Sequence, residues 1–350
     1  MKLLVLAQTP PPLHGQSLMV ETAVQGLPRH GVALFHVNLR LSRGHADIGG
    51  WRLGKVLAIL DACFHAIVAR FTENCDTLYY VPAPAKRGAL YRDWLVMLLC
   101  RPFFPRLVLH FHNGGLGAWL AQDVTGFERA MTRILLGRAD RAIVLTPSLR
   151  ADAAALHARH IAVVPNGLAL PTVAAVPREN FVLFLGAVSV EKGALDLLAA
   201  VRLLRARGGS AHVVFAGPVE PAVHAALQRA RVDDPGICRE AGIVHGKTKT
   251  DLLARCGVVC LPTHYPHEAQ PLVALEALAA DAPIVATRWR GLPETLPPTV
   301  SLVAPGDIIG LAAALAATLA TPPLAGAQRE FFDARYTREH HLAALAAALS

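Results

Sequence analysis

The chain has 350 residues, of which 53% are hydrophobic and 17% charged, and its formal net charge is +8. This composition excludes an extensively disordered protein, and the length suits two domains that each bury a core. No apolar run reaches the length of a membrane span, and the six cysteines, scattered among apolar neighbours, indicate a reducing cytoplasm.

The positive charge lies in the first half of the chain. Residues 1–170 contain 18 lysines and arginines against 10 acidic residues, whereas residues 171–350 contain 16 of each. The excess suits contact with something anionic, such as a membrane surface or a lipid phosphate, although it also serves ordinary solubility. Nucleic acid is disfavoured because the basic residues do not cluster with interleaved aromatic residues.

Short apolar strands alternate with helical stretches, which is typical of parallel sheets covered by helices on both faces. We interpret the opening apolar run as a buried strand and not as a signal peptide, because no small-residue cleavage site follows it. In the first half the predicted strands are Leu3–Ala7, Ala33–Val37, Thr77–Val81, Leu107–Phe111, Ala142–Leu145 and Ala162–Val164, and the predicted helices include Gln16–Leu27, Leu53–Phe71 and Asp123–Leu136.

The alternation begins afresh in the second half, where the predicted strands are Phe181–Gly186, His212–Ala216, Val258–Leu261, Ile284–Ala286 and Val300–Val303. The segment Leu168–Asn180 has two prolines and no periodicity, so we expect the linker there. The predicted fold class is α/β, with two doubly wound, Rossmann-like domains at residues 1–168 and 169–335. We expect them to face each other across a cleft that holds the active site.

The first predicted strand is followed by the loop Thr9–Ser17, which contains Gly15. A glycine at the start of a helix lets the backbone approach a ligand closely. The loop is neither a dinucleotide fingerprint nor a P-loop, since neither glycine pattern is present. It therefore predicts either a ligand contact or a plain strand-to-helix turn.

A second glycine-bearing strand end is Phe184–Gly193. Lys192 falls near a predicted helix N-terminus, where the helix dipole disfavours a cation. A local rule that is broken in this way often marks a ligand site. Together with Gly186, the lysine indicates a site for an anion such as a diphosphate.

A third glycine-bearing strand end is His110–Gly115. Its two histidines alternate onto one face, but no third metal ligand has recognisable spacing. Cys256 and Cys260 likewise lack a second Cys/His pair at the spacing of a zinc site, so we interpret them as buried thiols. His112, nearest the glycines, is either a substrate contact or a structural histidine. The chain has no Asp-x-Asp pair that would hold a diphosphate through a divalent metal.

The most informative stretch is Glu268–Glu276, two carboxylates with seven residues between them. We expect a helix to begin near Pro271, because proline is well tolerated at the first helical position. The free amides of Leu272 and Val273, with the helix dipole, would hold a phosphate. Apolar neighbours surround Glu276, so we expect a buried carboxylate that needs a partner and that accepts hydrogen bonds from sugar hydroxyls. This layout suits a nucleotide sugar.

In this order, the motifs resemble those of the retaining glycosyltransferases of the large GT4 family, which have the GT-B fold. The resemblance covers nearly the full chain, and each motif alone is generic whereas the ordered set is specific. The set comprises Pro11–Ser17, His110–Gly114, Val164–Gly167, Gly186 with Lys192 and Gly193, Ala216 with Gly217, Glu268–Glu276, Pro283–Thr287 and Gly291–Glu294.

The resemblance implies a role for each matching residue. Glu276 would hold the ribose hydroxyls, Lys192 the diphosphate, and Glu268 the hydroxyls of the donor sugar. His112 would lie beside the transferred sugar, and Gly15 would let its loop close over the donor phosphates. The catalytic residues would be His112, Glu268 and Lys192. The rest of the donor site would be formed by Gly186, Ala269, Gln270, Leu272 and Val273.

The resemblance also implies that the terminal helix, residues 336–350, crosses back onto the first domain and braces a hinge. Two positions depart from the family pattern. Ala187 stands where an arginine is common, so one diphosphate contact is missing or comes from elsewhere. Asp281 stands where glycine is usual, and we expect the turn to accept it because Asp tolerates left-handed backbone better than most residues.

We therefore expect a cytoplasmic, retaining, hexosyltransferase-like enzyme that needs neither metal nor cofactor and acts in bacterial cell-surface polysaccharide or glycolipid biosynthesis. It would move a sugar from a UDP- or GDP-linked donor in the second domain to a glycan or lipid-linked acceptor in the first. The alternatives are a nucleotide-sugar epimerase of the same fold and a non-catalytic sugar-nucleotide-binding protein. The basic first half, with Trp51–Lys55 opening an amphipathic helix, further predicts peripheral contact with the inner face of an anionic membrane.

Overall fold

A computed structural model of the protein describes residues 2–40, 53–172 and 176–350. The chain separates into two compact units. Unit 1 comprises Met1–Gly167 together with Arg338–Ser350, and unit 2 comprises Leu168–Thr337. Trp51 and Arg52, which are predicted to open an amphipathic helix, lie outside the described residues.

Unit 1 is built on a six-stranded parallel sheet. Its strand order is β2-β1-β3-β4-β5-β6, so the order reverses between β1 and β3. The strands β1 to β6 are Lys2–Ala7, Ala33–Asn38, Thr77–Tyr80, Arg106–Phe111, Arg141–Val144 and His160–Val163. The helices α1 to α6 are Gly15–Gly26, Leu53–Thr72, Arg87–Cys100, Leu116–Gln122, Gly126–Leu135 and Arg150–Ala155, and the chain-end helix Arg338–Leu349 belongs to the same unit.

The core of unit 1 follows from the alternation of side chains along β1. Leu3 and Val5 are buried in one cluster with Val20 of α1 and Leu345 of the chain-end helix. Leu4 points to the opposite face of the sheet and is also fully buried. A strand that is buried on both faces has a continuous apolar sequence, which is why β1 is recognisable without the structure.

Unit 2 is a second six-stranded parallel sheet, of order β12-β11-β10-β7-β8-β9. The order reverses between β7 and β10. The strands β7 to β12 are Glu179–Leu185, His212–Ala216, Cys238–Gly242, Cys256–Leu261, Ile284–Thr287 and Ser301–Val303. The helices α7 to α13 are Ala194–Ala206, Pro221–Asp233, Gly246–Arg255, Leu272–Ala279, Leu292–Thr295, Ile308–Ala320 and Ala327–Asp333, so the chain-end helix is α14.

The predicted α/β class, with two doubly wound sheets, is confirmed. The strand Cys238–Gly242 was missed, because its sequence contains Arg239 and Glu240 and lacks an apolar run. It lies at the edge of its sheet, where one long side needs no partner strand and polar residues are tolerated. None of the helices among the described residues is long and apolar enough to cross a membrane.

Several element boundaries differ from the prediction, and three of them have consequences for the fold or the site. The helix expected from Asp123 begins at Gly126, because the Thr125 side chain accepts a hydrogen bond from the amide of Glu128 at 3.1 Å and caps the helix there. Pro271 is the residue before α10 and not its first helical residue. The predicted linker is shorter than expected, since Glu179 and Asn180 already belong to β7.

Candidate functional site

In unit 2 the loops that follow β7 and β10 meet where the strand order reverses. Open parallel sheets bind ligands at such a point, beyond the carboxyl ends of the strands. The β7 loop carries Lys192, and the β10 loop carries Thr263 and Glu268. The amide of His264 donates a hydrogen bond to the carbonyl of Glu191 at 3.0 Å, which joins the two loops.

Glycines allow the loops to approach this closely. Gly193 has a φ of +77°, and a Cβ at this position would lie 2.1 Å from the carbonyl oxygen of Pro262. Gly217, after β8, has a φ of +148°, and its Cβ would lie 1.9 Å from the carbonyl oxygen of Gly186. A Cβ on Gly186 would lie 3.9 Å from Val273 Cγ2. The end of β7 is therefore adjacent to the first turn of α10.

The two loops bring Lys192 and Glu268 together as an ion pair. Lys192 Nζ lies 2.6 Å from Glu268 Oε2, and Thr263 Oγ1 donates to the same oxygen at 3.0 Å. The Glu268 side chain is only 7% exposed, so the cation and the hydroxyl replace the water that this carboxylate lost on folding. Lys192 remains 28% exposed and lies 4.7 Å from the centroid of the Tyr265 ring. Both charged residues were predicted, but their pairing was not.

The β10 loop is braced by residues of the neighbouring strand end. Thr287 Oγ1 donates to the carbonyl of Thr263 at 2.6 Å, and Trp289 Nε1 donates to the carbonyl of Tyr265 at 2.8 Å. The amide of Glu268 also donates to Tyr265, at 3.1 Å. These bonds fix the loop that carries Glu268 relative to the sheet.

Glu276, inside α10, forms a second ion pair of the same kind. Its Oε1 lies 2.6 Å from Nζ of Lys249, a residue of α9. The Glu276 side chain is 11% exposed and that of Lys249 is 29% exposed. The expected partner of Glu276 is therefore Lys249, which was missed because nothing in its local sequence separates it from the 87% exposed Lys247.

The first turn of α10 lies between the two carboxylates. Leu272 and Val273 are its first two residues, and the first amides of a helix have no acceptor within it. Both residues are half-buried, whereas Ala269 and Gln270, just before the helix, are buried. The predicted donor-binding residues of unit 2 thus form one region around the ends of β7 and β10.

The other two predicted site residues, Gly15 and His112, belong to unit 1. Gly15 is the first residue of α1, and His14 caps that helix. Asn113 Nδ2 lies 3.4 Å from Gln16 Oε1, so the start of α1 meets the loop after β4. Gly15 and His112 therefore lie at the same end of the first sheet.

His112 belongs to a group of histidines in unit 1. Its ring centroid lies 4.1 Å from that of His110. Burial, followed by the charges of His341 and His14, lowers the pKa of His112 to about 3. His112 is therefore uncharged at neutral pH and can exchange hydrogen bonds with a neutral polar ligand without adding a positive charge. Burial also lowers the pKa of His341 to about 4, and its Nδ1–H donates to the carbonyl of Pro165 at 2.6 Å.

The remaining predictions concern the thiols and one turn. All six cysteines are buried free thiols, as was predicted for Cys256 and Cys260. In the described part of the chain, no group of three or more His, Cys, Asp or Glu side chains is arranged to hold a metal ion. Asp281 has a φ of 53°, which confirms that an aspartate occupies the left-handed turn after α10.

Comparison with known proteins gives one family match, in unit 2. Residues 179–321 match the model of the family described as Glycosyl transferases group 1. The chain is also 31% identical over 240 residues to the glycogen synthase of Mycobacterium tuberculosis, in an alignment that covers 64% of this chain and 55% of that protein. The chain therefore spans about half the length of the curated relatives that it matches.

Solved structures resemble the chain over its whole length. The sucrose-phosphate synthase from Thermosynechococcus elongatus aligns with a TM-score of 0.75 and 19% identity, covering 100% of this chain and 98% of that one. The lipopolysaccharide outer core galactosyltransferase WaaB aligns with a TM-score of 0.70 and 13% identity, covering 100% of this chain and 99% of that one. Anabaena HepE in complex with UDP aligns with a TM-score of 0.67 and 16% identity, with the same coverage of both chains. At these identities the likeness establishes the fold alone, and it confirms the expected GT-B class.

Proposed function

We propose, from the match of residues 179–321 to the model of the family described as Glycosyl transferases group 1, that this chain transfers a sugar from a nucleotide-diphosphate donor to an acceptor hydroxyl. The observation that carries the proposal is the Lys192–Glu268 ion pair, at 2.6 Å, beyond the carboxyl ends of β7 and β10. A cation, a buried carboxylate and a helix N-terminus there match the phosphate and hydroxyl groups of a nucleotide sugar.

The chemistry follows from what each group offers. When the donor binds, Lys192 and the amides of Leu272 and Val273 meet the diphosphate, and Glu268 turns from the lysine to the hydroxyls of the sugar. The bond between the sugar and the diphosphate breaks, and a bond to the acceptor oxygen forms. The acceptor proton passes to the departing diphosphate, whose charge the lysine and the helix stabilise. His112, in unit 1, is an uncharged hydrogen-bonding group at neutral pH, because its pKa is lowered to about 3.

The finer features of the reaction belong to the same proposal. We propose a UDP- or GDP-linked hexose donor, retention of the anomeric configuration, and transfer without a metal or cofactor, since Lys192 is placed to balance the charge that a metal would otherwise meet. The acceptor is a glycan or a lipid-linked sugar in bacterial cell-surface polysaccharide or glycolipid biosynthesis, made in the cytoplasm. Support comes from the motif pattern and from relatives named as a glycogen synthase and a galactosyltransferase.

A thermal-shift screen tests the donor site. UDP, GDP and their sugar conjugates are added to the parent, to Lys192→Ala and to Glu276→Ala, with Lys247→Ala as the control because Lys247 is 87% exposed. A nucleotide at about 100 times its Kd stabilises the parent by about 2.7 kcal/mol. We expect one base to shift the parent and the control and to shift both site variants less.

Two outcomes contradict the proposal. No shift with any nucleotide would leave a protein without a donor site. Isomerised sugar nucleotide, formed without acceptor, would show an epimerase. With an acceptor, the anomeric configuration of the product, read by NMR, tests retention.

A partner surface is proposed for unit 1, whose helices expose large apolar side chains. On α2 the exposed residues recur at helical spacing along one stripe, namely Leu57, Leu60, Phe64, Val68 and Phe71. The next helix, α3, packs against both α2 and α5, and α5 exposes Phe127 and Ile134. The Phe127 ring lies 6.3 Å from that of Trp94 on α3. We call these seven exposed residues, on one layer of helices, the apolar surface of unit 1.

We propose that the apolar surface of unit 1 contacts an anionic membrane. Exposed large apolar side chains in this number on neighbouring helices mark an interaction site. Exposed cations accompany it, namely Lys86 just before α3 and Arg133 on α5, and the net positive charge of the chain lies in residues 1–170. Apolar insertion and attraction to anionic headgroups together select a bilayer over a neutral protein partner. Such contact would bring the enzyme to a lipid-linked acceptor.

Flotation with phosphatidylcholine vesicles, with and without phosphatidylglycerol, tests the membrane contact at low salt. We expect binding to the anionic vesicles only, and loss of binding in Phe64→Ser/Phe71→Ser. The matched control is Ile309→Ser/Leu324→Ser, which removes two apolar residues, 66% and 83% exposed, from unit 2 and should float like the parent. Equal flotation of both variants, or concentration-dependent dimerisation that the Phe64→Ser/Phe71→Ser variant abolishes, would contradict the proposal.

A further inference from the structure

The ion pair between Lys249 and Glu276 has no counterpart among the roles assigned so far. Lys249 lies on α9, which packs against β7 and β10, the two strands that carry the donor site. It reaches across 27 residues of sequence to place Nζ 2.6 Å from Glu276 Oε1. The geometry repeats that of Lys192 and Glu268, which are also 2.6 Å apart. Each carboxylate of the Glu268–Glu276 stretch therefore has a lysine of its own.

The charges of the site explain why a second lysine is useful. The carboxylate of Glu276 is 11% exposed and lies on a helix whose other residues are apolar. A carboxylate so far withdrawn from water requires a partner charge. Lys249 thus neutralises the charge of Glu276, at the nucleoside end of the site, before the donor binds.

We infer that Lys249 is a positioning residue for the donor nucleoside, an inference that rests on the proposed function. A carboxylate has two oxygens. Lys249 holds Oε1 of Glu276, which fixes the plane of the group and presents its second oxygen to the ribose hydroxyls. The lysine acts through Glu276, whereas Lys192 acts on the diphosphate itself. The two lysines therefore divide the donor between them, one at the ribose and one at the phosphates.

Calorimetric titration with UDP and GDP tests the inference. Lys249→Met keeps the length of the side chain and removes its charge, and we expect it to weaken binding of the preferred nucleotide about tenfold, the effect of one charge-assisted hydrogen bond. Lys249→Arg retains a cation and should recover part of the affinity. The matched control is Lys247→Met on the same helix, since Lys247 is 87% exposed and pairs with Asp251 at 2.6 Å. It should bind within about twofold of the parent.

Ligands without ribose hydroxyls separate positioning from a merely structural effect. Inorganic pyrophosphate lacks a ribose, so Lys249→Met should bind it as the parent does, whereas Lys192→Ala should not. The parent should prefer the ribonucleotide to its 2′,3′-dideoxy analogue, and Lys249→Met should lose most of this preference. Glu276→Gln, which keeps the shape of the side chain, should lose the same preference. The double variant should bind no worse than Glu276→Gln alone.

The outcomes distinguish the inference from the proposed function. If Lys192→Ala weakens nucleotide binding and Lys249→Met does not, the donor site stands and the role of Lys249 is refuted. If Lys249→Met weakens pyrophosphate as much as UDP or GDP, the lysine acts on phosphate and the positioning role is wrong. If the parent binds neither nucleotide, the proposed function and the inference fall together. If Lys249→Met does not fold, Lys249→Arg and Glu276→Gln carry the comparison.

Discussion

Single residues were predictable where they contradict their local surroundings. Lys192 is a cation near a helix N-terminus, and Glu276 is a carboxylate among apolar helix residues. Both now have partners, Glu268 and Lys249, that account for their positions. Lys249 could not be predicted in this way, because a lysine on a polar helix such as α9 is ordinary. Its role depends on a contact that only folding makes.

At the residue scale, the histidine group of unit 1 predicts that stability depends on pH. Burial lowers the pKa of His341 from its ordinary value of 6.5 to about 4 and that of His112 to about 3. The unfolded chain therefore binds more protons than the folded chain as the pH falls below about 6.5. The stabilisation is complete above that pH and is lost towards the folded pKa values. We expect the free energy of unfolding to fall by up to about 1.4 kcal/mol per pH unit for each histidine.

Urea unfolding at a series of pH values between 7.5 and about 4 measures this slope. His341→Gln removes one titrating group. It should reduce the slope of the unfolding free energy against pH by up to the contribution of one bound proton. Ile309→Ser, which changes a 66% exposed residue that has no titrating group, serves as the control and should leave the slope unchanged. Identical slopes for the parent and His341→Gln would contradict the expectation.

At the scale of elements, sequence signals succeeded where an element carries its own information. Most buried strands have apolar runs. The Thr125–Glu128 capping box, which sets the first residue of α5, is also a local signal, but it was overlooked and the helix was predicted from Asp123. The strand β9 lacked such a signal, since its charged residues are tolerated only because it lies at a sheet edge. The position of an edge in a sheet is a property of strand order, which a local pattern does not contain.

The turn at Asp281 predicts a capping effect on α13. Its carboxylate accepts from the amides of Gly326 at 2.6 Å, Gln328 at 3.1 Å and Arg329 at 3.3 Å, at the start of that helix. Asp281→Ala loses these bonds. It also leaves alanine, whose side chain cannot form a local hydrogen bond, in left-handed backbone at a φ of 53°, so we expect a loss of about 2–3 kcal/mol of stability. Asp281→Gly relieves the backbone and should lose about 1–2 kcal/mol. Asp281→Asn should lose least, and denaturant unfolding that ranks the three variants otherwise would disprove the capping role.

In the loop after β7, we expect that Gly193 cannot be replaced by a residue with a side chain. Gly193→Ala places a methyl group 2.1 Å from the carbonyl oxygen of Pro262, so the loop that carries Lys192 must move. We expect at least a tenfold loss of UDP or GDP binding by calorimetry. Gly208→Ala is the control, because Gly208 also has a positive φ, +92°, but nothing lies within 4 Å of its Cβ. The control should lose only about 1–2 kcal/mol of stability and bind nucleotide normally, and equal binding by both variants would refute the constraint.

At the scale of the molecule, the chain leaves unit 1 at Gly167 and returns to it at Arg338. The returning helix, α14, contributes Leu342, Leu345 and Leu349 to the core of unit 1. Unit 1 therefore requires the last residues of the chain, although the whole of unit 2, residues 168–337, separates them from the rest of unit 1 in the sequence. Sequence periodicity could show that a terminal helix exists, while its place in unit 1 was an expectation drawn from family resemblance.

Deleting residues 338–350 is expected to destabilise unit 1 selectively. Each of the three buried leucines contributes about 1.5–3 kcal/mol, so their loss removes several kcal/mol from that unit. Limited proteolysis of the full chain and of the truncated chain, with cleavage sites read by mass spectrometry, measures the effect. We expect new cleavage within residues 1–167, while 168–337 stays resistant. Deleting Ser350 alone is the control, and resistant residues 1–167 in the truncated chain would show that α14 is dispensable.

The sequence by itself determined the α/β class and the renewed strand-helix alternation after residue 180, and it singled out Lys192, Glu268 and Glu276 as candidate site residues. These features depend on local periodicity and on side chains that contradict their neighbours, which are properties of short segments. Only the tertiary structure decided that each glutamate pairs with a lysine and that the histidines of unit 1 gather into one group. Such contacts join residues far apart in the chain, and strand order and register, which no local pattern encodes, bring them within bonding distance.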